Sequence, residues 1–445
     1  MTIRLLAILG LLAGGAFSQH RAELERLVAA ERNSLEALYQ HLHSHPELSY
    51  REKETAARLA QELRTAGYEV TAGVGGHGFV SVLKNGAGPT VLVRTDLDGL
   101  PVEEKSGLPY ASKVKTTGEQ GTEVSVMHAC GHDVHMAAFI GAARMLMKMK
   151  DRWSGTLVLI GQPAEERGGG ALAMLNDGLY SRFPRPDVAL ALHTDAALEA
   201  GKIGYRVGFA MANVDSVDLV VRGVGGHGAY PHFTRDPVVL AAQIILALQP
   251  IVSREVSPLD SAVITVGSIH GGTKHNIISD EVRMQLTVRS YSDQTREQLL
   301  TAIRRVATNT ARAFGIPEDR LPQMTLVNDE FTPATYNDPP LVDRLLPVWK
   351  ALIGDDNVVE RMPEMGGEDF SRFGKVEPKI PIFLFRVGTI EPERVAAAKR
   401  EGKSLPSLHS PFYYPAIHPT LETGAKAMTA AVLELMGKAG QSSGR

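Results

Sequence analysis

The chain has 445 residues, more than one compact hydrophobic core usually serves, so two domains are expected. Its 44% hydrophobic and 22% charged content is that of a soluble globular protein. A net charge of -3, with no basic patch and no run of like charge, argues against nucleic acid as a partner.

The first residues read as an export signal. Arg4 precedes an apolar run over 5–17, shorter than the roughly 20 residues that span a bilayer. Ala16-Phe17-Ser18 puts small residues at both key cleavage positions. Residues 1–18 are therefore set apart as a signal peptide, with a mature chain from Gln19 that leaves the membrane for periplasm or medium; an uncleaved anchor is the alternative. The single cysteine, Cys130, rules out an intramolecular disulfide. A lone thiol in an oxidising compartment is a liability unless it is buried or bound to metal.

In chain order, Leu24, Leu27, Val28, Leu35 and Leu38 recur at helical spacing and predict a helix over 22–43, which His45-Pro46 ends. A second helix is expected over 53–65, stopping at Gly67. Strands follow at 78–83 and 90–94, then a helix over 137–149 and strands at 156–160 and 188–192. The short apolar strands alternate with helices, the pattern of a mostly parallel sheet covered on both sides.

From about 212 the pattern changes. A strand begins around Val217, Asp236-Pro237 starts a helix through Leu248 that Pro250 terminates, and strands follow at 262–269 and 282–290. In the last of these Val282, Met284, Leu286 and Val288 alternate with polar residues, so one face of its sheet is wet. A helix over 293–314 and a strand near 323–330 complete β-α-β-β-α-β, the ferredoxin-like order. Helix 340–352, strand 380–385 and helix 422–437 return to the first pattern. The fold class expected is α/β: a catalytic domain in two parts (19–211 and 331–445) with an inserted α+β domain over 212–330.

Ligands of an open α/β sheet sit at the carboxyl ends of its strands, and polar candidates gather there. Strand 90–94 runs into Asp96-Leu97-Asp98, strand 156–160 into Glu165-Glu166, and strand 188–192 ends at His193. The stretch Met127-His128-Ala129-Cys130-Gly131-His132-Asp133, with His135 beyond it, lies in the loop before a helix on the same rim. Thiolate, imidazole and carboxylate together suit zinc and similar divalent ions. Each member alone has an ordinary reading: a buried cysteine, turn-capping aspartates, a solvated glutamate pair, a core histidine. Cys130 as a nucleophile with His132 as its base is a further alternative, but it leaves Glu165 and Glu166 without work. With a metal, one glutamate holds the ion while its neighbour takes the proton of a water whose pKa the ion lowers from 15.7 toward roughly 7.

Several motifs in order carry a family resemblance over about 33–435. They are His-Pro-Glu-Leu-Ser at 45–49, Arg-Thr-Asp-Leu-Asp-Gly-Leu-Pro from Arg94, the Cys130 stretch, Gln-Pro-Ala-Glu-Glu from Gln162, Gly-Gly-His-Gly-Ala-Tyr-Pro-His from Gly225, Met-Gly-Gly-Glu-Asp-Phe from Met365 and Leu-His-Ser-Pro from Leu408. With them the chain resembles the metal-dependent amidohydrolases of the aminoacylase and carboxypeptidase G2 type, most of all the branch of hippurate hydrolases, N-acyl-amino-acid amidohydrolases and indole-acetyl-amino-acid hydrolases. The resemblance implies two divalent ions per subunit (manganese, zinc or cobalt) on Cys130, His132, Glu166, His193 and His409, with Glu165 as general base and Asp98 orienting the site.

It also implies that the inserted domain makes a homodimer or higher homo-oligomer and closes over the substrate. There His227 steadies the oxyanion in a neighbouring subunit, and Asn276 and Arg289 hold the substrate carboxylate. Arg289 lies on the wet face of its strand, and guanidinium grips carboxylate bidentately. The run His275-Asn276-Ile277-Ile278-Ser279 lacks the family's usual proline, and His193 lacks the tryptophan-proline that commonly follows it; these departures bear on acyl-group preference. The expected function is hydrolysis of N-acyl amino acids by metal-activated water. The alternatives are a metallo-carboxypeptidase or dipeptidase on short peptides, and a non-catalytic exported metal binder.

Overall fold

The computed structural model describes residues 3–327 and 331–438, with side chains from His20 onward. The expected signal peptide falls outside the residues whose side chains are described. In chain order the elements are α1 (Ile3–Ser44), α2 (Lys53–Thr65), β1 (Val70–Ala72), β2 (Phe79–Asn85), β3 (Thr90–Asp96), α3 (His132–Lys148), β4 (Gly155–Gln162), β5 (Val188–Glu199) and β6 (Ile203–Tyr205). There follow β7 (Asn213–Arg222), β8 (Gly226–His227), α4 (Pro237–Pro250), β9 (Ala262–Gly271), β10 (Ile277–Ile278), β11 (Glu281–Ser290), α5 (Asp293–Ala313) and β12 (Gln323–Leu326). The last are α6 (Pro339–Ile353), β13 (Val358–Glu360), β14 (Ile382–Ile390) and α7 (Ile417–Met436). Shorter helices, among them Gly170–Asn176 and Pro392–Glu401, connect them together with short strands and turns.

The chain is a two-domain α/β protein. The larger unit takes Met1–Gly208, Tyr336–Met362 and Asp369–Arg445; the smaller takes Phe209–Thr335 together with Pro363–Glu368. The smaller unit thus extends beyond 212–330, because Val214 pairs with Thr332 and Met211 with Glu364. The expected strand near 323–330 is described only over Gln323–Leu326; its last three positions lie outside the described residues.

The larger unit carries an eight-stranded sheet in the order β1-β2-β4-β3-β5-β14-β6-β13. Its centre, β4-β3-β5-β14, is parallel. On the β1 side, β1 and β2 run antiparallel; on the other side β6 is antiparallel to β14 and parallel to β13. Every residue of β14 is buried, as a strand covered on both faces requires. The core joins α1, α3 and α7 to these strands through Leu38, Leu42, Phe139, Ile140, Leu159, Leu190, Phe385 and Met428. Each such side chain contributes about 1.5–3 kcal/mol by leaving water. α2 forms where Leu59, Ala60 and Leu63 share a buried face, and the Glu47 carboxylate caps it by accepting from the Glu54 and Thr55 N–H.

The smaller unit is an antiparallel sheet, β9-β11-β7-β12, packed on α4 and α5. In β11 Val282, Met284, Leu286 and Val288 are buried in alternation, as the period of two dictates. Asp236 caps α4 by accepting from Val238 and Val239 N–H, and Ser292 caps α5 through Thr295 N–H.

Of the expected element ends that move, three have a clear physical reason. α3 starts at His132 and not near Ala137, because Gly131 takes φ +81° and turns the chain into the helix. β5 does not end at His193 but runs to Glu199, since β14 continues to pair with it past that histidine. Pro250 does not terminate the helical path: it removes one N–H from the ladder, and the chain widens into a π turn over Ile251–Glu255.

Candidate metal centre

The centre forms where β3, β4 and β5 meet. Asp96 ends β3 opposite Gln162 at the end of β4, so the loops to Asp98 and to Glu165-Glu166 leave the sheet side by side. His193 lies in β5 opposite Arg386 of β14. Cys130 and His132 flank Gly131, where a Cβ would meet Thr194 Oγ1 and Cγ2 at 2.9 Å; the tight turn into α3 therefore needs glycine. His409 follows Leu408 in the loop between the helix Pro392–Glu401 and α7, and its N–H donates to Ala129 O at 2.9 Å, which fastens it beside Cys130.

The hydrogen bonds of the histidines select which nitrogen is left for a ligand. His132 Nδ1 donates to the Asp98 carbonyl at 2.8 Å, and His193 Nδ1 donates to the Thr194 carbonyl at 2.8 Å. Each Nε2 is thereby the nitrogen left to face a ligand. At His132 burial opposes the charge, but Asp96 and then Asp98 outweigh it and hold the pKa well above the usual imidazole range, so a bound cation takes the place of a proton there. His193 Nε2 lies 3.7 Å from Cys130 Sγ. His132 Nε2 lies 3.7 Å from Glu165 Oε2 and 3.8 Å from Glu166 Oε1, and His409 Nε2 lies 3.5 Å from that same Glu166 oxygen. Ligating atoms of Cys130, His132 and His193, of Cys130, Glu166 and His409, and of His132, Glu165 and Glu166 each fall within 4.8 Å of one another.

These atoms fit divalent metal. His132 Nε2 and Glu166 Oε1 are buried and have no hydrogen-bond partner among the described residues, an arrangement that costs free energy unless a cation completes it. The donor set of thiolate, imidazole and carboxylate suits zinc and its neighbours. The groups also perturb one another. Burial and the nearby Glu166 hold the Cys130 thiol well above its ordinary range. Burial pushes the Glu166 carboxyl up to about 7, with His132 opposing and Asp98 adding to the rise. Burial, then His135 and Arg386, hold His193 well below the usual imidazole range. A bound cation reverses the first two effects by favouring the anions.

Asp98 organises the rim without reaching into it. Its carboxylate accepts from Glu165 N–H at 3.1 Å, Glu166 N–H at 3.0 Å and Ser49 Oγ at 2.6 Å. Burial opposes its charge, but His132 and these donors outweigh burial and lower its pKa.

Of the other attractive histidines, His135 is engaged elsewhere, and His128 is buried with neither ring nitrogen partnered among the described residues. His135 donates from Nδ1 to Asp96 at 2.8 Å and accepts Thr194 N–H on Nε2 at 2.9 Å, which uses both nitrogens. His128 is buried, and burial lowers its pKa to about 4, so it is a neutral core side chain.

The remaining predicted residues belong to the smaller unit. β8 pairs with β10 and sets His227 opposite Ile277, while Gly228 N–H donates to Asn276 O at 2.9 Å. His227 and Asn276 are therefore neighbours. His227 Nδ1 accepts Ala229 N–H at 3.0 Å, which leaves Nε2 to carry the proton. Arg289 stands on β11, its Nη1 donating to Met365 O at 2.7 Å and its Nε to Thr287 Oγ1 at 3.2 Å.

Two groups escaped the sequence reading. Arg94 is buried, donating to Gln162 and Asp96, with Asp369 at 3.5 Å. Glu52 is also buried, and it holds the turn before Glu165. Arg94, Gln162 and Asp369 lie within the motifs noted above; Glu52 lies three residues beyond the His-Pro-Glu-Leu-Ser motif. That proximity was the one signal available for it.

Comparison with known proteins agrees with this geometry. The profile of Peptidase family M20/M25/M40 matches residues 92–409. Thermostable carboxypeptidase 2 of Saccharolobus solfataricus is 39% identical over 347 residues, 77% of this chain and 83% of that protein. N-acetyl-L-cysteine deacetylase of Bacillus subtilis is 37% identical over 337 residues, 75% of this chain and 76% of that protein. The crystal structure of Bacillus subtilis YXEP protein, a dinuclear metal binding peptidase from the M20 family, superposes with a TM-score of 0.72 at 28% identity, covering 91% of this chain and 98% of that one.

Proposed function

The chain belongs to peptidase family M20/M25/M40 and is a metal-dependent hydrolase of amide or peptide bonds with a dinuclear centre; within that class we propose that it acts on short peptides, as a metallo-carboxypeptidase or dipeptidase. The observation that carries the reaction class is the convergence of Cys130, His132, Glu165, Glu166, His193 and His409 at one end of the larger unit's sheet. The peptide reading is supported by the carboxypeptidase relative at 39% identity.

Cys130, His132, Glu166, His193 and His409 would hold two divalent ions, manganese, zinc or cobalt. When bound, the ions supply a Lewis acid and lower the pKa of water. Glu165, buried beside the ligands, accepts the water's proton and returns it to the leaving nitrogen. His227 offers its Nε2–H to the developing oxyanion, and Arg289 with Asn276 holds the carboxylate of the residue released. We further propose a homodimer in which His227 serves the neighbouring subunit's centre. The exposed apolar face of α4, with Val238, Val239 and Leu246, and the unpaired edge of β9 give such an assembly a surface. Export, with maturation to Gln19, is part of the same reading.

Hydrolysis of N-acyl amino acids is the second reading, favoured by the deacetylase relative at 37% identity. Elemental analysis of the purified protein, then hydrolysis of dipeptides beside hippurate and N-acetyl amino acids, separates the two. The expected result is activity lost on chelation and restored by manganese, zinc or cobalt, with kcat/KM on dipeptides at least about tenfold above that on acyl substrates. The reverse preference selects the second reading, and full activity after exhaustive chelation removes both.

A further inference from the structure

Three consecutive backbone N–H groups, of Ala164, Glu165 and Glu166, end on the side-chain oxygens of two buried acidic residues. Asp98 takes the second and third. Glu52 takes the first: its Oε1 lies 2.7 Å from Ala164 N and 2.9 Å from Tyr50 N. Successive N–H groups around a left-handed residue make a concavity for anions, and here the protein fills it with its own side chains. Glu52 itself is 0% exposed and immediately precedes α2, more than a hundred positions before the turn that it holds.

Both donors on Glu52 belong to residues in the left-handed region, Tyr50 at φ +65° and Ala164 at φ +48°. Residues other than glycine hold that conformation only where the surroundings impose it. Ala164 is buried, its carbonyl accepts Gly170 N–H at 3.2 Å, and the next two side chains are the proposed base and a proposed ligand. The direction in which Glu165 and Glu166 leave the backbone is thus set by this turn.

Resting on the roles given above to Glu165 and Glu166, we propose that Glu52 is a positioning residue: its Oε1 holds Ala164 left-handed and so aims both carboxylates at the centre. What it supplies is an acceptor at the right reach, not a charge. Burial and the neighbouring Asp98 push its carboxyl up to about 8, so near neutrality it is the protonated acid, which glutamine mimics in shape. Aspartate keeps the acid but falls one methylene short.

The test compares the full chain with Glu52→Gln and Glu52→Asp by zinc titration of the metal-free proteins and by kcat and KM. The glutamine variant is expected within about threefold of wild type in zinc Kd and kcat, whereas aspartate loses about tenfold or more in both with KM little changed. In an Ala164→Gly background, where glycine takes the turn unaided, the aspartate loss shrinks, so the two changes are coupled and not additive. A glutamine variant as impaired as aspartate overturns the proposal, as does an aspartate variant equal to wild type or strict additivity with Ala164→Gly. Should aspartate fail to fold alone, its zinc affinity in the glycine background decides. A wild type silent on every amide defeats the functional reading, while the order of zinc affinities still judges Glu52.

Discussion

Glu165 and Glu166 adjoin in sequence, yet the proposed function gives them different work. Glu166 Oε1 is buried without a hydrogen-bond partner among the described residues and lies 3.8 Å from His132 and 3.5 Å from His409, which suits the ligand role proposed for it. Glu165 Oε2 lies 3.7 Å from the same His132 Nε2, and the role proposed for it there is that of a base next to ligated water. Glu165→Gln is therefore expected to lower kcat by about 10²–10⁴-fold while bound metal, measured by elemental analysis, stays at the wild-type level. Loss of metal in step with activity would instead make Glu165 a ligand. Glu165, Glu166 and His193 were legible from the sequence because they follow short apolar strand runs, and Cys130 and His132 because they stand together in the loop before an apolar helix. His409 was not: its side chain is 55% exposed, and it reaches the site only through its N–H bond to Ala129 and a left-handed φ of +66°. Only the resemblance named it. Glu52 was equally hidden, because a buried glutamate ahead of a helix has no periodic signature.

α1 and α3 meet at a buried charge. His43, in the last turn of α1, lies 2.7 Å from Asp133 through Nδ1 and 3.0 Å from Glu104 through Nε2. With a carboxylate on each nitrogen the ring is an imidazolium, also favoured at a helix carboxyl end. Burial opposes the charge, but the hydrogen bonds to Asp133 and then Glu104 outweigh it and raise the pKa to about 9. Because the folded value exceeds the unfolded value of about 6.5, the stabilisation is fully present below that pH and is lost as pH rises through 9. The shift corresponds to a contribution on the order of 3 kcal/mol. Thermal melts between pH 6 and 10 are expected to show wild type losing Tm across that window relative to His43→Gln, with the two converging above it. Parallel curves would show that the imidazolium contributes nothing. The element boundaries most in error in the sequence reading lie around such tertiary features: α3 starts early because Gly131 turns left-handed against Thr194, and β5 runs long because β14 pairs with it. Periodicity within one segment contains neither partner.

The two-domain plan was readable because the periods differ: unbroken apolar runs for the parallel sheet, strict alternation for the antiparallel one. What alternation cannot carry is the return of Pro363–Glu368 to the smaller unit, six residues held there by the Met211–Glu364 bridge, by Ala212 N–H on the Glu364 and Gly366 carbonyls, and by Arg289 on the Met365 carbonyl. Nor can it say which subunit a histidine serves. On the proposed homodimer, each centre takes Glu165 from its own chain and His227 from the partner chain, and this arrangement has an arithmetic consequence. Glu165→Gln and His227→Ala are each expected to be nearly inactive alone. After the two are mixed in equal amounts and allowed to exchange subunits, half of the dimers are hybrids. In each hybrid the His227→Ala chain keeps its Glu165 and receives an intact His227 from its partner, so one centre of two is complete. The mixture should recover about a quarter of wild-type activity through closed two-fold exchange. If His227 instead served its own chain's centre, every hybrid would hold two defective centres, and mixing would restore nothing.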